Sequence, residues 1–160
     1  MKNILLPTDF SDNAMVAADF TVNLFCGLPM TLNLYHFYGL QHSSGGMLIS
    51  IDDLLQKDAQ ISMKKEVDRI VDYCKGEVDI YSKNLNGQLT DFINEIIGNN
   101  DIHLIAMGTR GSSGFQKDLF GSNTTQILNT VKTPVLVIPQ NSHIDKLKKP
   151  KIAFASDFKS

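Results

Sequence analysis

Short apolar runs alternate with helix-spaced patterns from the first residues to about residue 138. That alternation constrains the fold more than any other feature of the chain. A strand followed by a helix and then another strand implies parallel strands joined by right-handed crossovers. Parallel sheets need cover on both faces. The expected architecture is therefore α/β, a doubly wound five-stranded parallel sheet with helices on both faces.

The individual runs support this. Ile4-Leu5-Leu6 reads as a buried strand. Ser11 is placed to cap the next helix, with Asp12 favourable in its first turn. Ala14, Ala17, Ala18, Thr21, Val22 and Phe25 then recur at helical spacing, until Gly27 and Pro29 stop the pattern. Thr31 to Phe37 is a second strand. Residues 39–51 read as a long connection, and a helix is expected from about Asp52, with Asp52 and Asp53 in its first turn. Leu55, Ala59, Met63, Val67, Ile70 and Cys74 form its apolar stripe. Val78 to Tyr81 alternates as a strand near a sheet edge would. Leu89, Phe92, Ile93, Ile96 and Ile97 form a clean helical face, which Gly98-Asn99-Asn100 is expected to end. Leu104 to Met107 is a continuous apolar strand, buried on both faces. A short helix through Thr124, Ile127, Leu128 and Val131 precedes a fifth strand, Val135 to Ile138.

Ligands of such folds bind beyond the carboxyl ends of the strands, where the strand order reverses. Two strand ends carry unusual residues. The first runs into Pro7-Thr8-Asp9. The fourth runs into Gly108-Thr109-Arg110-Gly111, and Gly121-Ser122 opens the last helix, giving the pattern G-x2-G-x9-G-S. Glycine allows positive φ and lets a phosphate approach backbone N–H groups. The N–H groups of a helix's first turn, and its dipole, favour an anion. Ser122 adds a hydroxyl and Asn123 an amide. Arg110 and Lys117 are the cations of this loop, so Mg²⁺ is expected beside a bound triphosphate. A loop merely shaped by glycine remains the alternative.

On these motifs the chain resembles the ATP-binding branch of the universal stress protein family. The resemblance covers residues 1 to about 139. It rests on Leu6-Pro7-Thr8-Asp9-Phe10-Ser11, Leu34-Tyr35-His36-Phe37, Met107-Gly108-Thr109-Arg110-Gly111, Gly121-Ser122-Asn123 and Pro134-Val135-Leu136-Val137-Ile138-Pro139. It implies strand order 3-2-1-4-5, a homodimer paired through the strand at 134–138, and a role in stress adaptation. It further implies bound ATP (or ADP or AMP). Pro7, Thr8 and Asp9 would lie by the adenosine, with the Asp9 carboxylate on the ribose; a helix-capping role for Asp9 is the alternative. Phe37 falls where the family holds adenine, usually with a smaller aliphatic residue. Met107 and Gly108 would meet the ribose side. Arg110 belongs to the phosphate loop, and Gly111, Gly121, Ser122 and Asn123 would hold the phosphates.

Other chemistries lack their signatures. There is no G-x-G-x-x-G after the first strand and no G-x-x-x-x-G-K-[S/T]. His36, His42, His103 and His143 show no metal-ligand spacing, and His36 and His103 read as hydrogen-bonded structural residues. No nucleophile elbow or Cys/His pairing is present, so no catalytic residue is assigned. Asp118 is the one candidate base for a slow ATPase or phosphate transferase, and a dimerisation module without nucleotide is a further alternative. The net charge of -2 gives no reason to expect nucleic acid or an anionic membrane. No apolar run approaches the roughly 20 residues of a membrane span, and the N-terminus lacks a signal-peptide pattern, so the cytoplasm is expected. Cys26 and Cys74 read as reduced thiols.

Finally, Lys151-Ile152-Ala153-Phe154-Ala155-Ser156-Asp157-Phe158 echoes Asn3 to Phe10 at an offset near one domain length. The expected organisation is a domain at 1–139, a linker at 140–150, and at 151–160 the truncated first strand of a second repeat.

Overall fold

The computed structural model describes residues 2–39, 48–75, 78–109, 121–142 and 153. Arg110, Gly111, Lys117 and Asp118 lie outside the described residues, as do His42, His143 and the proposed repeat segment apart from Ala153.

The elements follow in the expected alternation: β1 (Lys2–Thr8), α1 (Asp12–Leu24), β2 (Met30–Tyr38), α2 (Leu48–Cys74), β3 (Asp79–Asn86), α3 (Leu89–Asn99), β4 (Leu104–Gly108), α4 (Ser122–Thr130) and β5 (Val135–Ile138). The sheet runs β3-β2-β1-β4-β5, and its paired strands are all parallel. The order reverses between β1 and β4.

The two faces of the sheet make two cores. Ile4 and Leu6 of β1, Leu32 and Leu34 of β2, and Ala106 of β4 pack with Ala17, Ala18 and Val22 of α1 and Met63 and Ile70 of α2. Leu5, Tyr35, Ile105 and Met107 point the other way, onto Leu89, Ile93 and Ile96 of α3 and Ile127 of α4. This division follows from the period of two along a strand. Ile4, Leu5, Ile105 and Ala106 have no accessible surface, as central strands between two helical layers require.

Local chemistry fixes the helix ends. Ser11 caps α1, its hydroxyl accepting from the Ala14 N–H, and Gly27 takes φ 80° in the turn beyond it. α2 begins at Leu48, earlier than the expected Asp52, because no Gly or Pro follows Gly46 to delay it. Asp52 is therefore not in the first turn; its carboxylate accepts from the Asn86 amide of β3 at 2.8 Å. β3 continues past Tyr81 to Asn86, paired with β2 along its whole length. α3 runs through Gly98, which does not end it. Asn100 caps the helix, its N–H donating to Ile96, and Asp101 takes the left-handed conformation at φ 48°.

Between the helices on one face, Arg69 of α2 makes a bidentate pair with Glu66 and reaches Asp19 of α1 at 2.7 Å. Glu66 is buried, and these two carboxylates hold the Arg69 guanidinium well above its ordinary pKa against the opposing effect of burial. Among the described residues no helix is long and apolar enough to cross a membrane.

Candidate functional site

β1 pairs with β4 through Ile4–Leu104 and Leu5–Ile105. With that register, Pro7-Thr8 and Met107-Gly108 leave the sheet side by side at the point where strand order reverses. Alternation then sorts their side chains. Met107 is buried and faces the α3/α4 layer, and Pro7 and Phe37 share that phase. Thr8, His36 and Gly108 have the opposite phase, toward α1 and α2.

The turn after β1 is closed by its own side chains. The Phe10 N–H donates to the Thr8 hydroxyl at 3.0 Å, and the Ser11 N–H donates to Asp9 Oδ1 at 3.1 Å. The Ser11 hydroxyl also donates to Asp9 Oδ1 while accepting from Ala14. Asp9 Oδ1 thus caps the turn, beside the helix cap that Ser11 itself supplies. Phe10 adopts φ 59°, uncommon for a residue with a Cβ.

His36 of β2 reaches across to this turn. Its Nδ1 lies 2.8 Å from the Thr8 carbonyl, and its ring packs on Phe10 with centroids 4.3 Å apart. A carbonyl can only accept, so Nδ1 carries the proton. Burial pushes the imidazole below its ordinary pKa, partly opposed by the Thr8 carbonyl and the Asp9 carboxylate. The expected hydrogen-bonded histidine is observed here. At His103 the backbone N–H donates to the Asn3 carbonyl at 2.9 Å, and ring Nδ1 accepts from the Asn3 N–H at 3.4 Å.

The Phe37 ring packs among aromatic side chains on the α3 side of the sheet. It stacks with Tyr35 and with Phe92 of α3, at centroid distances of 6.4 and 6.2 Å. Its backbone is differently disposed. The Tyr38 carbonyl accepts from Gly87 on the β3 side, so alternation turns the Phe37 N–H and C=O toward the β1 side, where β1 has ended.

On the other side of the switch point, Gly108 does not use the freedom of φ that glycine allows. Gly108 has no positive φ; among the described glycines, Gly27, Gly39 and Gly87 do. A Cβ on Gly108 would fall 2.7 Å from the Asn13 side chain. Gly108 thus makes room for a buried amide of α1, not for a left-handed turn. Asn13 Nδ2 donates to the Ile138 carbonyl at 3.2 Å, and the Thr109 hydroxyl lies 3.4 Å from Asn13 Oδ1. The Thr124 hydroxyl donates to the Gly108 carbonyl at 3.0 Å. One amide and one hydroxyl therefore tie α1, β4, β5 and α4 together beneath the strand ends.

Gly121 is the N-cap of α4, at φ -65° and ψ 161°, and has no side chain to cap the first turn. Its N–H donates to the Thr109 carbonyl at 2.7 Å. Ser122 and Asn123 are exposed in the first helical turn, whose N–H groups have no partner within the helix. The described site residues therefore gather at one end of the sheet: Pro7, Thr8, Asp9 and Phe37 on one side, Met107, Gly108, Gly121, Ser122 and Asn123 on the other. Sequence reasoning missed Asn13. Its signal was a polar residue on the same stripe as Ala17 and Thr21, where a buried amide needs partners.

Comparison with known proteins gives the same frame. A match to the Universal stress protein family spans residues 1–139. The chain is 30% identical over 143 residues to Universal stress protein MJ0531 of Methanocaldococcus jannaschii, covering 86% of this chain and 81% of that one. Its fold is similar to that of universal stress protein UspA from Lactobacillus plantarum, with a TM-score of 0.72 and 20% identity over 86% of this chain and 97% of that one. It is also similar to a universal stress protein solved in complex with cAMP, with a TM-score of 0.64 and 19% identity over 88% and 98% of the two chains. The chain belongs to the universal stress protein family.

Proposed function

We propose that this chain binds ATP, or another adenine nucleotide, at the carboxyl ends of β1 and β4, and acts as a nucleotide-dependent regulator in stress adaptation with little or no turnover. The observation that carries the reading is the convergence, at the reversal of strand order, of the Asp9 turn with Met107-Gly108 and the α4 N-terminus. The similar fold solved with cAMP supports an adenine nucleotide. In this reading the Asp9 carboxylate meets the ribose, and the Phe37 backbone, not its ring, faces the adenine. Gly111, Gly121, Ser122 and Asn123 hold the phosphates, with Arg110 in the same loop. Mg²⁺ would accompany the phosphates, since between Gly108 and Asn123 the sequence supplies only Arg110 and Lys117 as cations.

Binding is favoured over turnover by the chemistry of the motifs. Phosphoryl transfer needs a positioned acceptor and strong charge stabilisation. Asp118 is the base that the catalytic alternative would use. The proposal extends to a homodimer through residues 134–138 and to a tandem repeat beginning near residue 151.

A thermal melt with MgATP tests the reading. A ligand at a hundred times its Kd adds about 2.7 kcal/mol to stability. For a chain of this size that raises Tm by roughly 5–10 °C. Gly121→Val and Gly111→Val should each remove the shift while leaving the ligand-free protein folded. No shift with millimolar MgATP on folded protein sinks the proposal. Steady phosphate release that Asp118→Ala abolishes would favour the enzymatic alternative.

A further inference from the structure

The turn that carries Asp9 begins where the β1 ladder stops, since the last pairing to β2 is Thr8–His36. Beyond that point Phe10 sits at φ 59°. The bonds from Phe10 to Thr8 and from Ser11 to Asp9 are internal to the turn. They set its shape but not its place relative to the sheet. His36 supplies a tie from the next strand: Nδ1–H to the Thr8 carbonyl at 2.8 Å, with the imidazole against the Phe10 ring.

We infer that His36 is the positioning residue of the nucleotide site, fixing the Asp9 turn against β2 so that the carboxylate is held ready for the ribose. The inference rests on the proposed nucleotide reading. It assigns His36 a role beyond filling the core, although His36 itself touches no ligand. The donor acts from one atom. Asparagine carries its Nδ2 where histidine carries Nδ1, so His36→Asn keeps a donor for Thr8. Glutamine extends its amide one carbon further and misplaces the donor, and leucine has none. A purely structural histidine would not discriminate among these in ligand affinity once each variant is folded.

The test is calorimetric titration of MgATP into the wild-type chain and the Asn, Gln and Leu variants at pH 7.5, each first shown to unfold cooperatively. The expected result is affinity within about threefold of wild type for His36→Asn, and at least tenfold weaker binding for His36→Gln and His36→Leu. A tenfold loss corresponds to about 1.4 kcal/mol. Equal affinity in all four proteins, or an equal loss in all three variants, overturns the inference while leaving the nucleotide reading intact. Amide exchange at Phe10 and Ser11 is the second measurement, and it needs no ligand. It should speed up in His36→Leu and return toward wild type in His36→Asn. If the wild-type chain binds no nucleotide, the function proposed above fails, and unchanged exchange would then remove the positioning role as well.

Discussion

At Gly108 a Cβ would lie within 2.9 Å of three side-chain atoms of Asn13, closer than non-bonded packing allows. Gly108→Ala should therefore overpack the junction of α1 and β4 and cost about 1–3 kcal/mol. Asn13→Ala alone should cost a similar ~1–3 kcal/mol, because the groups it serves at Ile138 and Thr109 lose a buried partner. The double variant has room for the added methyl, so it should be more stable than the sum of the two losses by at least ~0.5 kcal/mol. Urea unfolding of the four proteins measures the coupling; strict additivity would mean that Asn13 is not what excludes a side chain at position 108. The positive φ that glycine allows is not used at Gly108. Glycine announces that space or conformation is needed, but the residue claiming the space lies on a helix distant in sequence. The local hydrogen bonding of Asp9 was legible because its carboxylate is met by Ser11, a neighbour along the chain.

At the scale of elements, legibility followed the locality of the signal. Ser11 and Asp12 marked the start of α1 because a cap is a short-range interaction. The length of β3 was not legible because it depends on tertiary partners. Ser82, Lys83 and Asn84 have little strand character of their own, yet they extend β3 by pairing with Leu34, Tyr35 and His36. The junction of α1 and α2 was invisible for the same reason, since Asp19 and Arg69 meet only after folding. Glu66 there is 5% exposed, and the Arg69 guanidinium is its charge partner. Arg69→Met should leave a buried carboxylate without compensation and cost about 2–4 kcal/mol, toward the low end because Arg69 itself is partly solvated. Glu66→Met combined with Arg69→Met removes both charges and should recover most of that loss. Denaturant midpoints for the single and double variants decide it; a double variant as unstable as the single would assign the loss to the arginine stem instead of the orphaned charge.

At the scale of the whole molecule, the alternation of apolar runs sufficed for parallel strands covered on both faces, but not for their order. The order 3-2-1-4-5 came from the family resemblance, and the sheet bears it out. That order leaves β5 beside β4 alone, and the ladder dictates which of its groups face outward. Ile105 and Thr109 donate to the carbonyls of Pro134 and Ile138, so the even-numbered residues of β5 point their backbone groups into the sheet. Val135 and Val137 must point theirs away from it. If two chains pair through 134–138 as proposed, the Val137 N–H is a donor at the dimer seam and takes no part in the β4 ladder. Proline is tolerated on such an edge, where its missing N–H faces outward. Val137→Pro should therefore weaken the dimer by at least tenfold, about 1.4 kcal/mol, while the chain stays folded. Sedimentation equilibrium of wild type and variant reads the change. The thermal shift with MgATP should persist in the variant, because the strand ends at β1 and β4 lie within one chain. A wild-type chain that sediments as a monomer would discard the seam, and an unchanged dimer in Val137→Pro would move it to another face of the molecule.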